Sequence, residues 1–347
     1  IYGVDLNEEA VRVASFSLSL ALCDFLDPRS IWNELSFLKL VNENLIVSDF
    51  FDNALDSRLT KYDIVIGNPP WQSQLTNKAN NYLKENKYIV GDKQIAQAFP
   101  IKCASICKET GVVCLLMPSK GLLFNRSPKS RAYRRRFFDE NTVSVIINFS
   151  IYRKVLFDNA TAPCTAIIYY PKKIDGNNTT IFYCTPKPQY SLQDTKKFSI
   201  DPTDICRIPS DLVCDDRIWK IAMWGSPRDL ELIDRLQSTY PSLDQFLLNH
   251  NMKSAEGFKR GNRKLIYDGF ANLPIVDAKD FYPFYIQEEM LLSNEDNTYE
   301  RISNNNLAIF KAPHLIMKQS HRKGRFFASV LDYDAIFNHS LLGISGD

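Results

Sequence analysis

Asn68-Pro69-Pro70-Trp71 puts an amide, two rigid rings and an indole into four consecutive residues, directly after the apolar run Tyr62-Asp63-Ile64-Val65-Ile66-Gly67. A run of β-branched residues closed by Gly and then Pro-Pro reads as a buried parallel strand stopped at its carboxyl end. In an open α/β sheet, ligands bind there. The exocyclic amine of a nucleobase is a poor nucleophile, because its lone pair is delocalised into the ring. The Asn68 amide oxygen and the Pro69 carbonyl can both accept hydrogen bonds from such an amine, which localises the lone pair for attack. The prolines stiffen the loop, and Trp71 offers a flat face for a base taken out of its stack. The competing reading is a Pro-rich turn with an ordinary tryptophan. A tetrad of this kind arises by chance in roughly 1 of 100 chains of this length, so its place after a strand is what favours chemistry.

The 347 residues are enough for two domains with separate cores, and 45% hydrophobic with 24% charged content is that of a soluble globular protein. No apolar run is long enough for a membrane span, and no signal-type segment opens the chain. None of the eight cysteines forms a Cys-x-x-Cys pair; they read as reduced core thiols of a cytoplasmic protein, with no metal site expected. A net charge of +2 decides nothing about nucleic acid.

The tetrad needs a sheet to hold it. Ile1 to Leu6 reads as a strand ending in Asp5, followed by an acid-rich helix start at Asn7-Glu8-Glu9 and apolar positions through Val13, Phe16 and Leu20, as a helix packed on a sheet requires. A carboxylate at that strand end suits two ribose hydroxyls, and Leu6 suits an adenine face. Asn44 to Asp52 gives a further strand with Asp49-Phe50 at its end. Gln72 to Gly91 reads as a mobile polar loop, Asp92 to about Glu109 as a helix, and Gly111 to Pro118 as a buried strand. Val143 to Phe149 and Ala162 to Tyr170 form a closely spaced strand pair. Arg126 to Arg136 carries six cations, read either as a solvated helix face or as a phosphate-holding patch beside the cleft.

With that tetrad as catalytic motif, the chain resembles the gamma class of S-adenosylmethionine-dependent DNA adenine-N6 methyltransferases. The same tetrad, usually with Tyr, occurs in glutamine methylases acting on release factors, so it specifies mechanism better than substrate. The resemblance implies an α/β, Rossmann-like methyltransferase sheet whose last strand is antiparallel, followed by a C-terminal, β-rich target-recognition domain. It assigns Asn68, Pro69, Pro70 and Trp71 to catalysis, and Phe157, in preference to nearby Tyr152, to stacking on the flipped adenine. Cofactor binding falls to Asp5 and Leu6, to Asp49 and Phe50, and to Phe99 over the cofactor adenine.

The expected boundaries are a catalytic domain over 1–171, a connecting region over 172–228 and a target-recognition domain over 229–347. Trp224 to Asp229 reads as a helix break with a capped restart. Two basic, Gly-containing loops, Met252 to Lys264 and Lys318 to Arg325, suit phosphate positioning. No glycine-rich turn of the kind that approaches the cofactor's methionine part occurs in the sequence. The chain therefore reads as a fragment, cut at both ends, that binds cofactor poorly. The implied function is site-specific DNA methylation within a restriction-modification or phage-defence system, with double-stranded DNA and restriction subunits as partners. Methylation of RNA or protein glutamine, or a non-catalytic DNA-binding module, are the alternatives.

Overall fold

Two short parallel strands, β1 (Gly3–Asp5) and β2 (Leu45–Val47), are linked through α1 (Glu8–Cys23) and α2 (Pro28–Asn33). Asn7 starts α1 where the sequence places it, its side-chain oxygen accepting from the Glu9 and Ala10 N–H groups. In the computed structural model, residues 34, 38, 60, 72–73, 158–161, 174–179, 188–199, 262–264, 283, 288–290, 303, 321–324 and 347 are not described; all others are. The chain divides into two units, Ile1–Glu231 and Leu232–Asp347.

The first unit is built on a six-stranded sheet. Its strands are β3 (Tyr62–Gly67), β4 (Cys107–Pro118), β5 (Thr142–Asn148), β6 (Cys164–Tyr170), β7 (Thr180–Cys184) and β8 (Ile205–Pro209), in the order β3-β4-β6-β5-β7-β8. β3 and β4 are parallel, whereas β6 inserts antiparallel between β4 and β5, as the resemblance implies. Val113, Leu115 and Met117 alternate inward on β4 and meet Ile167 and Tyr169 of β6 in a fully buried core. The Tyr169 hydroxyl donates to the Pro100 carbonyl at 2.6 Å, so the one polar group of that side chain is satisfied.

Four expectations need correction. Residues 77–85 of the expected loop form a helix, α3 (Asn77–Glu85), because Ala79, Tyr82 and Leu83 supply a buried stripe that the surrounding Asn and Lys obscure. The helix expected from Asp92 begins only at Phe99, as α4 (Phe99–Ile106). Asp92 and Lys93 before it have positive φ, which breaks helical continuity. The stretch expected to connect two domains contributes β7 and β8 to the main sheet, with Ile181 and Tyr183 facing the core. Finally, α1 buries only Val11, while Val13, Phe16 and Leu20 are exposed.

That last difference has a neighbour. The β1–β2 pair forms a sheet of its own, not joined to β3, although the Tyr2 and Tyr62 rings meet at 5.5 Å. A further departure is β3 itself: its β-branched run reads as a buried strand, but it lies at the sheet edge, paired only with β4, and leaves Ile64 and Ile66 62% and 77% exposed.

The remaining helices of this unit are α5 (Pro128–Glu140), α6 (Arg153–Leu156) and α7 (Ile218–Trp224). α8 (Pro227–Thr239) follows the expected break, its restart fixed by the Asp229 carboxylate accepting from the Ser226 N–H at 2.6 Å. α9 (Leu243–Asn249) precedes the strands of the second unit. These are β9 (Lys253–Glu256), β10 (Leu265–Ile266), β11 (Pro274–Val276), β12 (Phe281–Tyr282), β13 (Tyr285–Ile286), β14 (Leu292–Ser293), β15 (Thr298–Tyr299), β16 (His314–Lys318), β17 (Ala328–Leu331), β18 (Ile336–Phe337) and β19 (Leu341–Ser345). An antiparallel sheet, β17-β16-β19-β9, carries a separate core that includes Phe270, Phe310, Ile316 and Phe337.

Candidate active site

Gly67 ends β3 opposite Leu115 of β4, and β4 continues past it to Pro118. The tetrad therefore leaves the sheet alongside the carboxyl end of a longer neighbour. A β-carbon on Gly67 would stand 3.1 Å from the Leu115 side chain, so the strand end is tightly seated. Pro69 is buried, whereas Asn68 and Pro70 are exposed. The indole N–H of Trp71 donates to the Asn68 amide oxygen at 3.0 Å and lies 3.4 Å from the Leu116 carbonyl.

Phe157 follows α6, on the connection between β5 and β6, and reaches the tetrad. Its ring meets Trp71 at 4.9 Å with an interplanar angle of 78°. Tyr152, the competing aromatic, is buried instead. The connection is anchored at its start by Asn148, which sequence reasoning missed. Fully buried, it donates to the Tyr183 hydroxyl at 2.7 Å and accepts from the Ser150 N–H at 3.0 Å. Two rings stacked on opposite faces of one base stand roughly 7 Å apart. In the edge-on arrangement seen here that slot is closed, and the Asn68 oxygen is shared with Trp71.

The expected cofactor residues gather at the ends of β1 and β2. Asp5 accepts from the Asn7 N–H at 2.7 Å, and its own carbonyl accepts from the Ser48 N–H at 3.0 Å, so it adjoins the turn that carries Asp49. Asp49 accepts from the Phe51 N–H at 2.9 Å. Leu6 is exposed. Phe50 stacks on Phe99 of α4, with ring centres 5.2 Å apart and planes within 9°, and Phe51 closes edge-on against Phe99 at 5.0 Å. Two strand-end carboxylates with an aromatic platform and an exposed Leu6 fit the adenosine half of S-adenosylmethionine.

A second residue that sequence reasoning missed underlies this platform. Lys102 of α4 is 1% exposed, with its ammonium 2.9 Å from Asp56 and 5.7 and 5.2 Å from the Phe50 and Tyr82 ring centres. A lysine in an apolar helix turn reads from sequence as a surface residue. Only the fold reveals it as a buried cation held by a carboxylate and two ring faces.

The cationic segment on α5 is largely spent on the fold. Arg134, fully buried, donates to Asp216 at 2.9 Å and to the Asn125 carbonyl at 2.6 Å; Arg131 meets the same aspartate. Arg136 pairs with Glu140 and lies over the Tyr88 ring. In the second unit, Lys259 pairs with Glu300 and Arg260 bonds Asn294, while Arg263, Lys264, His321, Arg322 and Lys323 lie outside the described residues. All eight cysteines are free thiols, and burial pushes Cys103 up to about 12 and Cys164 to about 11, so both stay protonated near neutrality. Among the described residues no cluster of metal-binding side chains forms, and no helix is long and apolar enough to cross a membrane.

Residues 1–156, which hold every expected catalytic and cofactor residue except Phe157, match the family model described as Eco57I restriction-modification methylase. This stretch is thus similar to restriction-modification methylase domains. The chain is 25% identical over 220 residues to the type II restriction enzyme and methyltransferase RM.Eco57I of Escherichia coli, a match covering 57% of the chain and 20% of that relative. In fold it is similar to the type IIL restriction-modification enzyme MmeI, solved in complex with DNA, with a TM-score of 0.54 and 10% identity over 99% of this chain and 49% of that one. It is likewise similar to DrdV, solved as a DNA complex, with a TM-score of 0.53 and 12% identity over 99% and 42%. The chain thus spans about a fifth of the curated relative and less than half of either solved chain. The likeness is one of fold: an α/β unit followed by a β-rich C-terminal region.

Proposed function

We propose that the chain forms the catalytic and target-recognition parts of an S-adenosylmethionine-dependent DNA adenine-N6 methyltransferase of a restriction-modification or phage-defence system. The observation that carries this reading is the placement of Asn68-Pro69-Pro70-Trp71 at the carboxyl end of β3, with Phe157 delivered against Trp71 from the β5–β6 connection. Asn68 and the Pro69 carbonyl accept the two hydrogens of the target amine and localise its lone pair. S-adenosylmethionine supplies the methyl group. Trp71 and Phe157 stack the flipped base, which requires one of them to turn out of their edge-on contact; the base then displaces the indole N–H from Asn68. Asp5, Leu6, Asp49, Phe50 and Phe99 hold the adenosine half of the cofactor, and most of the rate comes from positioning.

DNA is favoured over RNA and protein by the β-rich second unit, by the basic stretches of its sequence and by the likeness of residues 1–156 to restriction-modification methylases. The test is labelled methyl transfer by the protein that contains this chain, offered duplex DNA, RNA and a glutamine peptide in competition. Label in DNA adenine supports the reading, and label in RNA or peptide overturns it.

A further inference from the structure

The hairpin β12–β13 in the second unit is unusual in what it exposes. Strand alternation buries Phe281 and Ile286 opposite one another and turns the partners Tyr282 and Tyr285 outward, where their rings stack at 4.9 Å with planes 7° apart. Phe284, at the turn, is 79% exposed, and Tyr282 and Tyr285 are 43% and 55% exposed. Its φ of 70° is a left-handed conformation that bulky side chains rarely adopt. Such placement of a large apolar ring lowers solubility and strains the backbone, and it points to a partner for the ring.

The surroundings say which partner. Lys318, at the end of β16, holds its ammonium 5.7 Å from the Phe281 ring centre and 4.5 Å from that of Phe327. β13 lies along β17, whose approach carries Arg325, exposed, and Lys279 is exposed two residues before the hairpin. An aromatic tip amid cations complements a nucleic acid, with base faces for the ring and phosphates for the charges.

We infer that this hairpin is a wedge for duplex DNA, with Phe284 entering between base pairs, the Tyr282–Tyr285 stack bracing it, and Lys279, Lys318 and Arg325 meeting the flanking phosphates. The inference rests on the DNA reading above and adds to it a contact that distorts the duplex. Partial insertion of a ring unstacks a base step and bends the helix.

The test uses the full chain and a duplex with 2-aminopurine in place of central adenines, so that unstacking raises emission. Wild type is expected to bind and raise the emission. Phe284→Ala binds about tenfold more weakly and loses the rise at an unchanged melting temperature, because the ring is exposed; Phe284→Trp recovers both. A Phe284→Ala chain that matches wild type in affinity and emission overturns the wedge and leaves the DNA reading standing. An equal loss of affinity for the single strand also overturns it, since the hairpin would then be a stacking platform for unpaired bases. A wild-type chain that leaves the duplex unbound overturns both.

Discussion

Asn68 and Lys102 mark the two limits of what a single residue discloses. Asn68 stands out in the sequence because of its neighbours, two prolines and an indole after a β-branched run, and the strand before it, β3, ends at Gly67. Lys102 was hidden, because its meaning depends on Asp56, Phe50 and Tyr82, all brought to it by the fold. Its ammonium is buried while Asp56 remains more than half exposed, so the two partners are not equivalent. Asp56→Ala strands a buried cation and should cost about 2 kcal/mol, the half-exposed carboxylate keeping this below the range for fully buried pairs. Lys102→Met fills the same volume without charge and should cost less than about 1 kcal/mol. Urea unfolding of both variants checks the order; a Lys102→Met cost equal to or above that of Asp56→Ala contradicts it.

At the scale of elements, strands β3 to β6 were legible because continuous apolar runs bounded by Gly, Pro or charge have few alternatives. The helix α3 was not, since three apolar side chains among Asn and Lys give a weak stripe. The fate of the α5 cations could not be read either: Arg131 and Arg134 meet Asp216, more than eighty positions later, and no local pattern announces that pairing. The edge of β3 makes a separate prediction. Ile64 and Ile66 project from a strand paired on one side only, an arrangement that invites association with other strands. Ile66→Lys places a charge on that edge and should slow aggregation of this chain, followed by light scattering on gentle heating. Aggregation at the wild-type rate would locate the cause elsewhere.

For the whole molecule, two units with separate cores should unfold in separable steps. Asp216→Ala leaves Arg134 buried without its carboxylate and should destabilise the first unit by about 3 kcal/mol. Phe310→Ala, removing a ring packed between Phe270 and Phe337, should destabilise the second by about 3 kcal/mol. Calorimetry is expected to show each substitution lowering a different transition, and both lowering one shared transition would contradict independent cores. Chemistry at the tetrad is tested most directly on the protein containing this chain. Duplex DNA is incubated with S-adenosylmethionine and wild-type or Asn68→Ala protein, digested to nucleosides, and assayed for N6-methyldeoxyadenosine. Wild type is expected to yield the modified nucleoside and Asn68→Ala none, at nearly unchanged cofactor affinity. Undiminished methylation by Asn68→Ala would remove the tetrad from the chemistry.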